Sequence, residues 1–346
     1  MIYFNSDYLE GAHPSIMVRL AETNMVQTVG YGEDEYCEAA REKIKTACQA
    51  PEADVHFLVG GTQTNTTVIA AILRPWQGVI SAVSGHINCH EAGAIESTGH
   101  KVITLPTTNG KITAQQVQDY VEWHRNDEST EHIVQPGMVY ISHPTEGGTL
   151  YTKAELTALY DTCRRYGLPL FIDGARLGYG LMAEESDMTL PEIARLCDVF
   201  YIGGTKVGAL FGEAVVIMNE ALKKDFRFIM KQRGGRMAKG RLLGVQFDTL
   251  FTDDLYFKIS RHAIEMAHQI RDIFVSAGYP LLFDSPTNQQ YPIMPDDELA
   301  ILGKSFGYEY WERVDETHSG VRFCASWATK QEHVDALRAA VNALKK

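Results

Sequence analysis

Short apolar runs alternate with amphipathic, helix-like stretches between residues 15 and 218. Runs typical of buried strands lie at 54–59, 78–82, 101–105, 138–142, 168–172, 199–202 and 214–218. Apolar residues have helical spacing at 15–23, 33–50, 66–73, 91–98, 113–124, 153–166 and 190–196. Neighbouring parallel strands need crossover connections, which are usually helices. The alternation therefore predicts an α/β fold with a mostly parallel sheet covered by helices on both faces.

The sequence changes character after residue 245. The expected elements are a helix at 255–277, a proline-rich stretch at 286–295, a short strand at 321–324 and a last helix at 330–344. With 346 residues, 45% of them hydrophobic, the chain can bury one large core and a smaller appended one. We therefore expect an N-terminal arm at 1–15 near the active site, a large domain at 16–245 and a smaller α+β domain at 246–346.

Charge and cysteine usage exclude several classes of function. The net charge of −12 and the pI near 5.5 argue against binding to nucleic acid or to an anionic membrane, which need clustered positive charge. One basic run, 231–241, is expected to make local anion contacts or a subunit interface. The six cysteines form no Cys-x-x-Cys pair, and neither a leader peptide nor a membrane-spanning run is evident. These features predict a cytoplasmic protein with reduced thiols.

Two strand-like runs each end in a residue that can carry chemistry. Asp173 ends one run, and Lys206 follows another about thirty residues later. A buried carboxylate can pair with a protonated pyridine nitrogen, and a lysine can form a Schiff base with an aldehyde. The pair therefore predicts a pyridoxal-phosphate site. Taken alone, each residue also has a simpler interpretation: Asp173 could pair with Arg176, and Lys206 could face solvent.

A glycine turn at 60–65 is a candidate phosphate site. Free backbone N–H groups at the start of a helix bind phosphate without a cationic side chain. Read alone, the turn is better explained as a tight structural turn. It lacks the Gly-x-Gly-x-x-Gly dinucleotide pattern, and 303–305 fails as a P-loop because Glu298 stands where the first glycine belongs.

His86, His90 and Glu91 permit three interpretations. Histidines at i and i+4 can share a metal ion, but the sequence matches neither His-Glu-x-x-His nor its inverted form. His86 could instead lie flat on an aromatic cofactor, or it could be a capping or packed residue. We therefore predict no metal site.

Taken together, the motifs of this sequence resemble those of the threonine aldolases of the β-eliminating lyase group. That group lies within the aspartate-aminotransferase-type (fold type I) class of pyridoxal-phosphate enzymes. The similarity extends over nearly the whole chain and is strongest to the branch of low-specificity threonine aldolases and phenylserine aldolases. It rests on Ser6-Asp7, Tyr31-Gly-Glu-Asp34, Gly61-Thr62-x-x-Asn65, His86-Ile87 with Glu91 and Gly93, Asp173-Gly-Ala-Arg176, Thr205-Lys206, Val321-Arg322-Phe323 and Ser326-Trp-Ala-Thr329.

The resemblance implies how the cofactor would be held. Lys206 would carry it, Asp173 would pair with its ring nitrogen and His86 would stack on its ring. The other cofactor-binding residues that it implies are Gly61, Thr62, Asn65, Arg176 and Thr205.

The resemblance also implies the reaction and the assembly. A β-hydroxy-α-amino acid such as L-threonine, L-allo-threonine or phenylserine would be cleaved to glycine and an aldehyde. The implied substrate-binding residues are Ser6, Tyr31, Thr145, Glu146, Arg176 and Arg322. The family commonly forms homotetramers with shared active sites, so Tyr31 and either Arg233 or Arg241 would complete the neighbouring subunit's site.

One segment departs from the family pattern. Many threonine aldolases have Thr-His-Asn before a Gly-Gly pair, with that histidine close to the substrate hydroxyl; here the segment at 143–148 reads His-Pro-Thr-Glu-Gly-Gly. Thr145 or Glu146 falls near the histidine's position, which leaves the base for the hydroxyl open among His86, Thr145 and Glu146. Another pyridoxal-phosphate β-eliminating lyase and an aminotransferase of the same fold are the alternative functions.

Overall fold

The computed structural model describes residues 1–345. Its strands are β1 (Ile2–Tyr3), β2 (Asp54–Leu58), β3 (Gln77–Ala82), β4 (Val102–Leu105), β5 (Gln135–Ser142), β6 (Leu170–Asp173), β7 (Val199–Gly203), β8 (Glu213–Ile217), β9 (Gln289–Gln290), β10 (Ile293–Pro295), β11 (Phe306–Gly307), β12 (Glu309–Arg313) and β13 (His318–Cys324). Its α-helices are α1 (Pro14–Thr23), α2 (Glu35–Cys48), α3 (Gly61–Ile72), α4 (His86–Cys89), α5 (Ala114–Asn126), α6 (Lys153–Tyr166), α7 (Leu177–Met182), α8 (Leu190–Arg195), α9 (Glu220–Lys223), α10 (Phe226–Gln232), α11 (Arg241–Leu250), α12 (Leu255–Ser276), α13 (Asp296–Leu302) and α14 (Gln331–Leu344).

A seven-stranded sheet, in the order β2-β8-β7-β6-β5-β3-β4, forms the centre of the molecule. The pairs β3–β4, β3–β5, β5–β6 and β6–β7 are parallel, whereas β8 runs antiparallel to both of its neighbours. Within this sheet, every strand except β8 therefore points the same way. The mostly parallel sheet predicted from the alternation is confirmed.

Alternate residues of the central strands enter two different apolar clusters. In β5, for example, Val139 and Ile141 belong to one cluster, while Met138 and Tyr140 belong to the other. Side chains of a strand point alternately to the two faces of its sheet, so the two clusters lie on opposite faces. Residues of α2, α5 and α6 complete the first cluster, and residues of α3 and α10 complete the second. Both faces are thus covered by helices, as expected.

Two helix boundaries differ from the sequence prediction. Helix α3 begins at Gly61 rather than at residue 66, because the threonines of its first turns are satisfied inside the helix: the Thr64 hydroxyl donates to the Gly60 carbonyl, and the Thr66 hydroxyl donates to the Thr62 carbonyl. The helix predicted at 91–98 was wrong. Ala92 and Gly93 have φ angles of 51° and 72°, which interrupt the helical path between α4 and a single 3₁₀ turn, Glu96–Thr98.

A separate apolar cluster holds the C-terminal part of the chain together. Its buried residues come from 266–341 and include one residue of the N-terminal segment, Phe4. Strand β1 pairs in parallel with β11, and β13 pairs with β9, β10 and β12. Helix α12 links this cluster to the sheet, because its first half packs in the larger cluster and its second half in the C-terminal one. The division into an arm and two domains stays a prediction. No helix within residues 1–345 combines the length and apolarity that a membrane crossing requires.

Candidate active site

The predicted site residues follow the carboxyl ends of strands that point the same way. Gly61 follows β2, His86 follows β3, Asp173 ends β6 and Lys206 follows β7. Strands that run in one direction bring their carboxyl ends to one edge of the sheet, where open α/β sheets bind ligands. The order of the strands thus gathers residues that are up to 145 positions apart, which is the separation of Gly61 and Lys206 (206 − 61).

The turns after β6 and β7 approach each other too closely for side chains. A Cβ on Gly174 would lie 2.0 Å from the Tyr201 carbonyl oxygen, and a Cβ on Gly203 would lie 2.2 Å from the Ala175 carbonyl oxygen. Glycine at both positions lets the two backbones touch. The glycines of Asp-Gly-Ala-Arg and Gly-Gly-Thr-Lys therefore bring Asp173 and Lys206 to the same cavity.

The Asp173 carboxylate is buried and receives four hydrogen bonds. Its Oδ2 accepts from the Tyr140 hydroxyl at 2.6 Å and from Asn65 Nδ2 at 3.1 Å. Its Oδ1 accepts from the Tyr201 hydroxyl at 2.5 Å and from the Ala175 N–H at 3.0 Å. Burial by itself would raise the pKa of Asp173, but the charge of His86 and these hydrogen bonds outweigh it and lower the pKa. The group is therefore held as a carboxylate.

A second buried carboxylate, Glu91, holds the imidazole of His86. Glu91 Oε1 lies 2.8 Å from His86 Nδ1 and also accepts from Asn65 Nδ2 at 2.7 Å. Asn65 thus bridges Glu91 and Asp173. Burial by itself would lower the pKa of His86, but the hydrogen bond with Glu91 and the charge of Asp173 raise it. The protonated form of His86 is consequently favoured, and the hydrogen bond to Glu91 fixes the orientation of its ring.

Lys206 lies in an environment that favours its neutral amine. Burial and the positive charge of Arg176 lower its pKa, against the opposing charges of Asp7, Asp173 and Glu213. A neutral amine is the nucleophilic form of lysine. Glu213, at the start of β8, lines the same cavity and accepts from the Gly204 N–H at 3.1 Å.

These groups surround a cavity of about 320 Å³. Its lining includes Gly60, Gly61 and Thr62 at the beginning of α3, whose first N–H groups have no partner within the helix. The partial positive charge of a helix N-terminus favours an anion at this end of the cavity. Asp173 and Lys206 line the same cavity.

An adjoining cavity of about 410 Å³ shares part of this lining. The residues common to both cavities are Tyr8, His86, Glu146, Arg176 and Lys206. The second cavity adds His90, Glu309, Tyr310, Trp311 and Arg322. The two spaces therefore form one site, with one part next to α3 and the other next to β12.

Arg176 is paired with the N-terminal segment. Its Nε donates to Asp7 Oδ2 at 2.6 Å and its Nη2 donates to Asp7 Oδ1 at 3.0 Å, while Asn288 Nδ2 also donates to Asp7 at 2.9 Å. Arg322 donates to Gln289 Oε1 at 3.2 Å and to the carbonyl of Asn5 at 3.0 Å. Both arginines are thereby positioned by residues far away in the sequence.

The structure does not bring every predicted site residue to the cavity. Lys206, His86, Asp173, Gly61, Thr62, Arg176, Thr205 and Glu146 line the first space, and Arg322 lines the second. Asn65 and Ser6 are buried outside both linings. The Thr145 hydroxyl lies 2.7 Å from that of Thr149 and is also outside both linings. Tyr31 is exposed on another surface, where Lys231 lies 4.5 Å from the centre of its ring.

The basic run lies beside the cavity rather than in its wall. The Arg233 carbonyl accepts from Gln63 Nε2 at 3.1 Å, next to the start of α3. Arg241 instead donates to the carbonyls of Val26 (2.7 Å) and Thr23.

Sequence reasoning missed several residues of the site: Tyr8, Tyr140, Ser142, Tyr201 and Glu213. Strand alternation could have found three of them. Ser142 is in register with Asp173, Tyr140 lies two residues earlier on the same face, and Val199 pairs with Phe171, which sets Tyr201 level with Asp173. No comparable signal in the sequence marked Tyr8 or Glu213.

The comparison with known families decides where the chain belongs. The family model for beta-eliminating lyases matches residues 4–341. The chain belongs to the beta-eliminating lyase family. This lyase shares 42% sequence identity with the threonine aldolase of Leishmania major, whose solved structure superposes on it with a TM-score of 0.97 over 100% of both chains. It is 29% identical to the low specificity L-threonine aldolase of Pseudomonas aeruginosa over 337 residues, which are 96% of this chain and 95% of that protein.

A more distant structure bears on the fold. A double mutant of Thermus thermophilus aspartate aminotransferase superposes on this lyase with a TM-score of 0.71 at 14% identity, over 100% of this chain and 91% of that one. The expected aspartate-aminotransferase-type fold is confirmed.

Proposed function

We propose that this lyase is a pyridoxal-phosphate-dependent aldolase that cleaves a β-hydroxy-α-amino acid to glycine and an aldehyde. The observation that carries the proposal is the meeting of the Asp173 carboxylate, the Lys206 amine and the first turn of α3 in one cavity. The names of the relatives, threonine aldolases from Leishmania major and Pseudomonas aeruginosa, support the substrate class.

The residues present fit pyridoxal phosphate in charge as well as in type. The start of α3 suits the phosphate, the carboxylate of Asp173 suits a protonated ring nitrogen, and the amine of Lys206 suits the aldehyde. Thr205 and His86 line the same cavity. When bound, pyridoxal phosphate accepts the electron pair left on Cα when a bond to that carbon breaks.

Each side chain contributes a different step of the reaction. Lys206, whose pKa burial lowers, would hold the aldehyde carbon of the cofactor through its amine. Asp173 remains ionised and would therefore keep the ring nitrogen of the cofactor protonated. Arg322 and Arg176 present positive charge to the cavity next to β12, where a substrate carboxylate would be held. Holding the carboxylate fixes the rotation about Cα and therefore selects the bond that breaks.

Absorbance and product analysis test the proposal together. Purified protein should gain a visible absorption band with pyridoxal phosphate, and L-threonine, L-allo-threonine or phenylserine should yield glycine with one equivalent of aldehyde. Lys206→Ala should lose both the band that borohydride fixes and the cleavage. Lys304→Ala, at an exposed position, is the matched control. Pyruvate and ammonia as products, or a requirement for a keto acid, would point to the other lyase chemistry or to transamination and would refute the aldolase.

We also propose that the chain forms a homotetramer in which neighbouring subunits share active sites. Eight large apolar residues are exposed between residues 8 and 31: Tyr8, Leu9, Met17, Val18, Met25, Val26, Val29 and Tyr31. Such a concentration is typical of a protein interface. Since Tyr8 also lines both cavities, an interface there would adjoin the site. Light scattering checks the mass, and a dimer or monomer at working concentrations would contradict the tetramer.

The compartment and the domain limits are also proposals. All six cysteines are free thiols, which supports a cytoplasmic, reducing location. The separate C-terminal cluster supports a small domain at 246–346 beside the large cofactor-binding domain at 16–245, with 1–15 as an arm.

A further inference from the structure

The aldol cleavage proposed above requires a base for the β-hydroxyl group of the substrate. We propose that Glu146 is this base and that its Oε2 takes the hydroxyl proton. The inference rests on the proposed function, because it names the residue that performs one step of that reaction.

Glu146 is the one carboxylate among residues 1–345 that borders both cavities. Asp173 and Glu213 line only the first, and Glu309 lines only the second. A substrate held by its carboxylate at Arg322 would have to extend its Cα towards Lys206, which would place the bond between Cα and Cβ where the two spaces meet. A base at this junction is therefore within reach of the β-hydroxyl group.

The two oxygens of Glu146 have different surroundings. Oε1 accepts from the Ser142 hydroxyl at 2.6 Å and from the backbone N–H of His86 at 2.8 Å. Within residues 1–345, Oε2 has no hydrogen-bond partner and is not sealed from solvent, and Glu146 borders the open cavity. The backbone is held as well, because the Glu146 carbonyl accepts from the Tyr291 hydroxyl at 2.8 Å and from Gln289 Nε2 at 3.2 Å. One oxygen thus positions the group and leaves the other free to react.

The other two candidates are poorly arranged for this task. The Thr145 hydroxyl is paired with Thr149 outside the cavity. His86 has its Nδ1 engaged by Glu91 Oε1 at 2.8 Å, and this hydrogen bond and the charge of Asp173 raise its pKa, which favours the protonated ring over the form that accepts a proton. Burial raises the pKa of Glu146 despite the hydrogen bond from Ser142, which strengthens its carboxylate as a base.

The step balances as a proton transfer coupled to bond cleavage. Glu146 Oε2 receives the proton of the β-hydroxyl group, and the electron pair of that O–H bond forms the C=O bond of the aldehyde. The pair of the Cα–Cβ bond stays with Cα, and pyridoxal phosphate held by Asp173 and Lys206 would supply the acceptor for it. A proton then replaces the aldehyde at Cα to give glycine, and Glu146 returns its proton to solvent after the aldehyde leaves.

Glycine has no β-hydroxyl group, so its binding does not need a base for that group. Measurements with glycine therefore distinguish a catalytic role of Glu146 from a role in building the site. Three variants test the position: Glu146→Gln removes the base, Glu146→Asp shortens it and Glu146→His supplies a different base. Glu184→Gln, at an exposed position, is the control for loss of one carboxylate. Each is assayed for cleavage of threonine and phenylserine, for the change in cofactor absorbance on adding glycine, and for exchange of the glycine α-hydrogen in deuterium oxide.

We expect Glu146→Gln to lower kcat for cleavage by roughly 10²–10⁴-fold. Its affinity for glycine and its α-hydrogen exchange should remain within about threefold of wild type, and the Asp or His variant should recover part of the cleavage. Cleavage by Glu146→Gln within about threefold of wild type would overturn the proposal. An equal loss of glycine binding would also overturn it, because Glu146 would then be needed to build the site. A wild-type protein that binds the cofactor and glycine but cleaves no β-hydroxy amino acid would instead refute the proposed function.

Discussion

Replacing Asp7 by asparagine should destabilise the fold, because it leaves the charge of Arg176 without its partner. Asp7 is completely buried, and only 12% of the Arg176 side chain is exposed. Removing one partner of a buried ion pair costs about 3–5 kcal/mol. Globular proteins unfold with an entropy of about 2.1 cal/mol/K per residue. Over 346 residues this corresponds to roughly 0.7 kcal/mol/K, so the melting temperature should fall by roughly 4–7 °C.

The assay is thermal unfolding at one fixed, saturating cofactor concentration. Asp119→Asn, on the exposed side of α5, is the control for loss of a carboxylate. The double variant Asp7→Asn with Arg176→Met removes both charges and should be less destabilised than the sum of the two single variants. A fall of less than about 1.5 °C in Asp7→Asn, or simple additivity in the double variant, would refute the reasoning.

The pH dependence of the same pair follows from the pKa of Asp7. Burial by itself would raise that pKa, but the charges of Arg176 and Lys206 and the hydrogen bonds from Arg176 and Asn288 lower it from 3.8 to about 2. A carboxyl group whose pKa is lowered by folding stabilises the protein above its unfolded pKa and loses this effect as the pH falls through its folded pKa. The shift corresponds to about 2.5 kcal/mol. The difference between wild type and Asp7→Asn should therefore shrink as the pH falls below about 4.

Two further perturbations test other parts of the site. Burial raises the pKa of Glu213 from 4.5 to about 8, so its proton is bound in the folded state but not in the unfolded chain between those values. Wild type should consequently lose stability relative to Glu213→Gln as the pH rises from 5 to 8; a pH-independent difference in melting temperature would contradict this. Gly203→Ala would place a Cβ 2.2 Å from the Ala175 carbonyl oxygen. By overpacking, it should lower the free energy of unfolding by about 1–3 kcal/mol or more and so lower the melting temperature, whereas Gly11→Ala, with its nearest neighbour at 4.0 Å, should melt like wild type.

Apolar periodicity was sufficient to predict the position of a residue where that position depends only on the strand or helix that contains it. The runs that end at Asp173 and Lys206 were recognisable because apolar strands stop at residues with reactive groups, and parallel strands bring such ends to one edge. Signals failed where the backbone departs from regular geometry. The positive φ angles of Ala92 and Gly93 ended a helix that the apolar spacing at 91–98 had predicted. Similarly, the polar threonines near Asn65 gave no apolar helical pattern, so the sequence did not predict that α3 begins at Gly61.

The sequence by itself determined the fold class, and it supplied the candidate residues whose chemistry suits the proposed cofactor. Tertiary structure alone decided which neighbouring side chain enters the cavity: Glu146 borders it while Thr145 turns to Thr149. It also decided that Asp7 would meet Arg176, 169 positions away. The physical reason is that strand and helix periodicity acts over a few residues, whereas the direction of a loop side chain depends on whichever distant element packs against it.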